Sequence, residues 1–239
     1  MKTSRRSLVI CALLFVGVAG GGFWWSQHAA FRYLSGQTGE FVAQFGPPSA
    51  ADSAATRREL DELLLMQGHR TPAQVAAAQA DRKKDVSRFY AALGIEAAHA
   101  RDLPKLHELT DNAEADIGPY VRAVKDKYRR LRPYEIEPKL HPCIGDVRGD
   151  LSYPSGHATY GYLMGYLLSE VAPARRAALM RRADEFANQR MVCGVHFRTD
   201  LEAGRHGAEY LLRQMEASPA FQRDLAAAQS ELRSRTAAR

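Results

Sequence analysis

From about residue 54 onward, apolar residues recur at the three-to-four-residue spacing of amphipathic helices. The segment "RRELDELLLMQ" predicts a helix that ends at Gly68. A second helix is predicted from Thr71, as N-cap with Pro72 at its first position, to Gly94. Neither an alternating strand pattern nor an internal repeat is found in the sequence, so we expect an all-α fold.

The second half of the chain predicts longer helices. The segment "DLPKLHELTDNAEADIGPYVRAVKDKYRRL" predicts a helix with a kink at Gly118–Pro119 and an end at Pro133, followed by a loop over residues 133–153. Further helices are predicted at about residues 155–171, 173–190, 197–216 and 218–235. We therefore expect a single-domain helical bundle over residues 53–239, preceded by a linker or irregular arm at residues 27–52.

The N-terminus carries a targeting pattern. Three basic residues among the first six precede an apolar run from Leu8 to Trp25. Residues 1–26 are expected to be either an export signal or a membrane anchor, and "SRRSLV" is similar to a twin-arginine signal. Both alternatives predict a periplasmic or secreted protein, with anchoring to the inner membrane through residues 8–25 in the second.

Composition narrows the class of protein. Hydrophobic residues make up 46% and charged residues 25% of the 239 residues, as in ordinary globular proteins. The formal net charge is +6, but the basic residues are dispersed without interleaved aromatics, so no nucleic-acid partner is expected. Cys11 lies in the export segment. The remaining pair, Cys143 and Cys193, favours a disulfide over two buried thiols in an oxidising compartment.

A first cluster of candidate residues is cationic. Lys125 and Arg132 are seven residues apart and are predicted to share one face of a helix, with Arg129 between them. Lys127 and Arg130 are predicted to point elsewhere. A solvated basic face is the alternative, but this helix leads into the loop that carries the second cluster.

The second cluster is Pro154-Ser155-Gly156-His157, at the predicted start of a helix. The free N–H groups and partial positive charge of a first helical turn favour an anion. His157 could donate a proton beside that anion, and its ordinary pKa suits a mildly acidic working pH. A capped helix with a surface histidine is the alternative.

The third cluster is Arg190, His196 and Asp200. At a spacing of four residues the Asp200 carboxylate can hold one nitrogen of His196 and leave the other free to attack. A surface pair or a metal site are the alternatives, although nearby cations disfavour a metal. Cations, helix N–H groups and two histidines together suit a tetrahedral oxyanion such as phosphate.

These clusters together resemble a known signature. The series Lys125-x6-Arg132-Pro133, Pro154-Ser155-Gly156-His157 and Arg190-x5-His196-x3-Asp200 resembles that of the phosphatidic acid phosphatase type 2 and vanadium haloperoxidase superfamily. The resemblance covers roughly residues 50–235 and is closest to the bacterial class A non-specific acid phosphatases. One position departs from it, because Gln189 stands where the family usually has serine.

The resemblance implies a metal-independent phosphomonoester hydrolase without a cofactor. His196 would attack phosphorus and form a phosphohistidine, Asp200 would orient it, and His157 would protonate the leaving alcohol and later assist water. The phosphate oxygens would be held by Lys125, Arg132, Ser155, Gly156 and Arg190. Small phosphorylated substrates are the expected partners, membrane contact is expected only through an uncleaved N-terminal segment, and a homo-oligomer is left open.

Three other functions are considered. The same site could serve a lipid phosphate or diphosphate phosphatase at a membrane surface, or a vanadium-dependent haloperoxidase. A non-catalytic phosphate-binding module is least favoured, since every charged signature position is filled.

Three further residues are candidates near the site. Glu114, eleven residues before Lys125, is a candidate for the layer behind the site. Tyr134 and Tyr153 flank two of the motifs and either line a substrate cleft or pack inside the protein.

Overall fold

The computed structural model describes residues 31–96, 102–145 and 149–237, which fall within one compact unit. The predicted export segment lies outside the described residues. The helices are α1 Gly39–Ala43, α2 Ala54–His69, α3 Pro72–Ala80, α4 Tyr90–Leu93, α5 Pro104–Tyr128, α6 Pro133–Ile136, α7 Gly156–Val171, α8 Arg176–Val192, α9 Arg198–Glu216 and α10 Pro219–Ala237. Short 3-10 helices occupy Val86–Phe89 and Pro173–Arg175. No β-strand occurs in these described ranges, and the all-α prediction is confirmed.

Helix α7 is the centre of the bundle and packs mainly against α8 and α9. The close approach of α7 to these two helices depends on glycine residues. A Cβ atom at Gly165 would lie 2.8 Å from the Ala183 Cβ, and one at Gly204 would lie 2.8 Å from the Ala158 Cβ and 2.9 Å from the Ser155 carbonyl oxygen. Because Gly204 has no side chain, the first turn of α7, where the second candidate cluster lies, packs directly against α9.

The predicted helix from Thr71 to Gly94 is wrong beyond Ala80, although Thr71 does form a capping box with Gln74. Asp81, the residue after α3, is buried and accepts hydrogen bonds from Arg88 Nε at 2.7 Å and Arg182 Nη2 at 2.6 Å. This tertiary ion pairing, which short-range periodicity does not reveal, competes with continued helix.

Helix α5 runs through Pro119 without a break but ends at Tyr128, earlier than the predicted end at Pro133. Arg129 has a left-handed backbone with a φ of 50°, which terminates the helix. Arg132 therefore lies beyond α5, and the prediction that it shares a helical face with Lys125 is wrong.

Residues 31–52, predicted as a linker or irregular arm, include α1 and pack on the helical unit. Phe41 and Phe45 are buried in its core. The buried Asp116 carboxylate accepts backbone N–H bonds from residues 32, 33 and 34 at 3.0, 2.7 and 2.9 Å. Within the part of the chain that the structure describes, none of the helices has the length and apolar character to cross a bilayer.

Candidate active site

The three candidate clusters meet around one cavity of about 300 Å³. It opens between α5, the N-terminus of α7 and the junction of α8 with α9. The lining residues are Lys84, Ile117, Gly118, Val121, Arg122, Lys125, Arg132, Asp150, Gly156, His157 and His196. The chain thus brings two members of the first cluster, two of the second and one of the third to the same space, together with several unpredicted residues.

His196 is a buried, oriented imidazole. Its Nδ1 lies 3.1 Å from Asp200 Oδ2, and its Nε2 lies 2.6 Å from Arg132 Nη1. Because arginine only donates, Nε2 is the acceptor and Nδ1 carries the proton toward the carboxylate. Burial lowers the pKa of His196 well below its ordinary value, and Arg132 and Lys125 lower it further. The ring is therefore neutral, with a lone pair on the nitrogen beside the cavity.

Asp200 is held from several sides at the start of α9. Its Oδ2 accepts hydrogen bonds from Ser152 Oγ at 2.5 Å and from the Phe197 backbone N–H at 2.9 Å. Its Oδ1 accepts one from Arg130 Nη1 at 2.7 Å. Burial raises the pKa of Asp200, while Arg130 and these hydrogen bonds oppose that rise. The carboxylate has a fixed geometry that fixes the His196 tautomer in turn.

Arg130 belongs to the site, and the prediction that it points elsewhere is wrong. It is buried, bonds Glu59 Oε2 at 2.8 Å as well as Asp200, and stacks 3.8 Å over the centroid of the Phe197 ring. The prediction failed because α5 ends before Arg130, so helical spacing does not set the direction of its side chain. No local signal in the sequence links it to Glu59, 71 residues away.

Lys125 and Arg132 converge on a residue that was not predicted, Asp150. Lys125 Nζ lies 3.0 Å from Asp150 Oδ1, and Arg132 Nη2 lies 2.6 Å from Asp150 Oδ2. Arg132 Nε also donates to the Asp150 carbonyl oxygen at 2.8 Å, and Lys125 Nζ donates to the Leu151 carbonyl oxygen. Burial, followed by the charge of Arg132, lowers the pKa of Lys125 to about 8.

The first turn of α7 supplies hydrogen-bond donors. Ser155 is its N-cap, and its hydroxyl oxygen accepts from the Ala158 backbone N–H at 3.2 Å. The Ser155 backbone N–H donates to the Asp200 carbonyl oxygen at 3.0 Å, which ties this turn to α9. Gly156 begins the helix and lines the cavity, so its N–H belongs to the free donors of the helix start.

Arg190, near the end of α8, is a buried cation with unused donors. Its Nε and Nη1 atoms are buried without a hydrogen-bond partner among the described residues. Burial and the charge of Arg132 lower its pKa to about 10. Unpaired buried N–H groups are costly, and an oxyanion would satisfy them. Gln189, the departure from the family pattern, likewise has a buried Oε1 atom without a partner in this part of the chain.

His157 lines the cavity from the first turn of α7. Its Nε2 lies 2.6 Å from the Arg82 carbonyl oxygen, and its ring stacks on Phe186 with 6.1 Å between centroids. Burial, then the charge of Arg190, lowers the pKa of His157 to about 3. The pKa of His157 therefore lies below the ordinary value expected from the sequence.

Three further candidates, Glu114, Tyr134 and Tyr153, are not among the described residues that line the cavity. Glu114 is on α5 but is not among the described residues that line the cavity, and burial raises its pKa. Tyr153 packs at right angles against Phe45 and Tyr128, and Tyr134 packs against the core. Tyr153 is buried and Tyr134 is half-buried, so both are packing residues.

A disulfide joins Cys143 and Cys193, whose Cα atoms are 4.7 Å apart. The Cys143 N–H also donates to the Cys193 carbonyl oxygen at 3.3 Å. The bond ties the loop that follows α6 to the end of α8, three residues before His196.

Several known proteins are similar to this chain. A family model described as the PAP2 superfamily matches residues 116–211, which hold all three clusters. A non-specific acid phosphatase of Salmonella typhimurium is 31% identical over 196 residues, covering 78% of this chain and 77% of that protein. One from Providencia stuartii is 32% identical over 136 residues, covering 55% and 54%. A solved bacterial vanadium-dependent iodoperoxidase is 21% identical, with a TM-score of 0.49, and the match covers 72% of this chain and 54% of that chain.

The family match and the acid phosphatase relatives define the class, that of the PAP2 superfamily. Within that class, the chain belongs to the non-specific acid phosphatases of the PAP2 superfamily.

Proposed function

We propose that this enzyme, a phosphomonoester hydrolase by its family, acts through a phosphohistidine on His196 and needs no metal ion. The observation that carries the proposal is the buried pair of His196 and Asp200, with Nδ1 facing the carboxylate 3.1 Å away. That arrangement leaves Nε2 at the cavity as the nucleophile.

Substrate binding rests on side-chain cations. Phosphoryl transfer requires charge stabilisation and positioning, which Lys125, Arg132 and Arg190 can supply together with the N–H groups at the start of α7. The Arg132 N–H that now contacts His196 Nε2 would turn to a phosphate oxygen, and the nucleophile's lone pair would become free.

In the first step, His196 Nε2 forms a bond to phosphorus as the bond from phosphorus to the ester oxygen breaks. His157 gives its proton to the departing alkoxide, and Asp200 offsets the positive charge that develops on His196. In the second step, neutral His157 takes a proton from water, the water oxygen attacks phosphorus, and the P–N bond breaks to release phosphate. His196 returns to its neutral form.

His157 becomes protonated only when the substrate is bound. Burial, and then the charge of Arg190, lowers the pKa of His157 to about 3. A bound phosphoryl group faces the same cations with negative charge and raises that pKa. Protonated His157 is lost as pH rises, so turnover is favoured in the acid range.

We also propose that residues 1–26 carry the enzyme out of the cytoplasm, cleaved or retained as an anchor. The disulfide between Cys143 and Cys193 supports this, because such bonds persist in oxidising compartments. Fractionation of cells that express the full chain would test it.

The reaction is tested by a panel of phosphomonoesters, diphosphates and lipid phosphates, assayed with and without EDTA. We expect hydrolysis of the soluble monoesters to survive EDTA and to be inhibited by vanadate. Activity that EDTA abolishes and a divalent ion restores would overturn the metal-independent proposal. If only lipid phosphates are hydrolysed, the substrate class is lipid phosphates rather than soluble phosphomonoesters.

A further inference from the structure

The side chain of Asp150 lies inside the predicted phosphate site, although no cluster in the sequence includes it. It lines the cavity and bonds both Lys125 and Arg132, at 3.0 and 2.6 Å. Arg122 Nη1 lies 4.0 Å from the same carboxylate. The carboxylate is 43% exposed, whereas Lys125 and Arg132 are almost completely buried. Two cations that are predicted to hold phosphate therefore already hold a carboxylate that is partly exposed.

Asp150 also sets the charge balance of the cavity. The lining residues include the cations Lys84, Arg122, Lys125 and Arg132, and among the described lining residues Asp150 alone has a carboxylate. Burial raises its pKa, but Lys125 and Arg132 more than offset this and hold that pKa below its ordinary value. Asp150 is thus ionised through the acid range in which a phosphatase of this family would work.

We propose that Asp150 is a specificity-determining residue that makes the phosphate site favour singly charged over doubly charged tetrahedral anions. The inference rests on the proposed function, since it concerns the same anion site. A phosphoryl group on Lys125 and Arg132 shares its cations with the Asp150 carboxylate and is repelled by it. Coulomb repulsion is proportional to the charge of the ligand, so a dianion loses twice as much binding energy as a monoanion.

The consequence for substrates concerns their ionisation. A phosphomonoester loses its second proton near a pH of about 6. Below that pH the monoanion dominates, and the repulsion from Asp150 is smaller. The residue thus contributes to a preference for acid conditions through the substrate, separately from the proton on His157.

Other groups that face Asp150 also titrate, and their protonation states must be kept constant in the test. Lys125 and Arg122 face it from α5 and Arg132 from the turn beyond that helix, while Lys84, His157 and His196 line the same cavity. A test at one pH with ligands of fixed charge keeps these groups in one state. Sulfate and methyl sulfate are tetrahedral anions of charge −2 and −1 at pH 5.

The experiment measures the dissociation constants of sulfate and methyl sulfate by calorimetry at pH 5 and constant ionic strength. We compare the wild type, Asp150→Asn and a matched control, Asp61→Asn, which removes one charge from an exposed position on α2. We expect Asp150→Asn to tighten methyl sulfate about threefold and sulfate about tenfold, because the logarithm of the change doubles with ligand charge. Asp61→Asn should change neither constant appreciably.

Equal changes for both anions, no change, or weaker binding of both would overturn the proposal. Weaker binding would instead make Asp150 a residue that orients Lys125 and Arg132. Should Asp150→Asn fail to fold, Asp150→Ser removes the same charge and is measured identically. Neither ligand is hydrolysed by a phosphatase step in this assay, so the outcome is independent of whether His196 forms a covalent intermediate.

Discussion

Arg130 Nη1 lies 2.7 Å from Asp200 Oδ1, on the opposite side of the carboxylate from His196. Because Asp200 is fully buried, its negative charge depends on protein groups rather than on water for stabilisation. Arg130 provides that stabilisation, and Glu59 balances Arg130 in turn. The orientation of the nucleophile therefore depends on an arginine that does not line the cavity.

Replacing Arg130 should weaken both stability and catalysis. Arg130→Gln leaves the buried Asp200 carboxylate and the half-buried Glu59 carboxylate without their cation, and we expect a loss of about 3–5 kcal/mol in the free energy of unfolding. We also expect kcat to fall more than KM rises, since the phosphate cations are untouched. Lys127→Ala, on an exposed side chain of the same segment, is the control and should change stability by less than about 0.5 kcal/mol. A stable Arg130→Gln enzyme with normal kcat would show that Asp200 needs no such partner.

The charge on Lys125 should limit anion binding at high pH. Its pKa of about 8 means that Lys125 loses its positive charge as the pH rises through 8, so affinity for sulfate should decline above that value. Lys125→Arg keeps its charge at every working pH and should extend binding upward. Stabilisation against heat by added sulfate, measured from pH 6 to 10, reports the affinity without turnover. If the affinity for sulfate declines equally in the wild type and in Lys125→Arg, a group other than Lys125 causes the decline.

Removing the disulfide should destabilise the region around His196. The bond closes a separation of 50 residues, and its loss is expected to cost about 2–4 kcal/mol. Denaturant unfolding of a Cys143→Ser/Cys193→Ser variant measures this directly. Dithiothreitol should lower the stability of the wild type and leave the double variant unchanged. An unchanged midpoint in the variant would mean that the hydrogen bonds of this loop suffice.

The role of His157 as an acid should depend on the leaving group. General acid assistance contributes about 10²–10⁴-fold and matters most when the alcohol is a poor leaving group. His157→Ala should therefore lose far more kcat/KM on an alkyl phosphate than on p-nitrophenyl phosphate. Equal losses on both esters would indicate that His157 binds phosphate rather than protonating the alcohol.

Parts of the fold that depend on local chemistry were predictable from sequence. Helix α7 starts one residue after its N-cap Ser155, and α9 covers the predicted range to within one residue, because caps and apolar spacing are local signals. The ends of α3 and α5 were missed, because they are set by the ion pairs of Asp81 and the left-handed backbone of Arg129.

The candidate site, too, was only partly predictable from the sequence. The motif residues Lys125, Arg132, Gly156, His157 and His196 line the cavity, but Arg130 and Asp150 could not be assigned from spacing. Both depend on chain segments that come together only in the folded protein: Arg130 with Glu59 and Asp200, and Asp150 with Lys125 and Arg132. The lowered pKa of His157 also arises from burial and from Arg190, which the sequence does not display.

The central claim is that His196 carries the phosphoryl group, and trapping that group tests it most directly. The enzyme is mixed rapidly with a radiolabelled p-nitrophenyl phosphate and quenched in denaturing alkali, in which a P–N bond survives. We expect label on His196 in the wild type, accumulated label in His157→Ala, and none in His196→Ala. An active wild-type enzyme that carries no label at any quench time, or carries it on another residue, would contradict the mechanism.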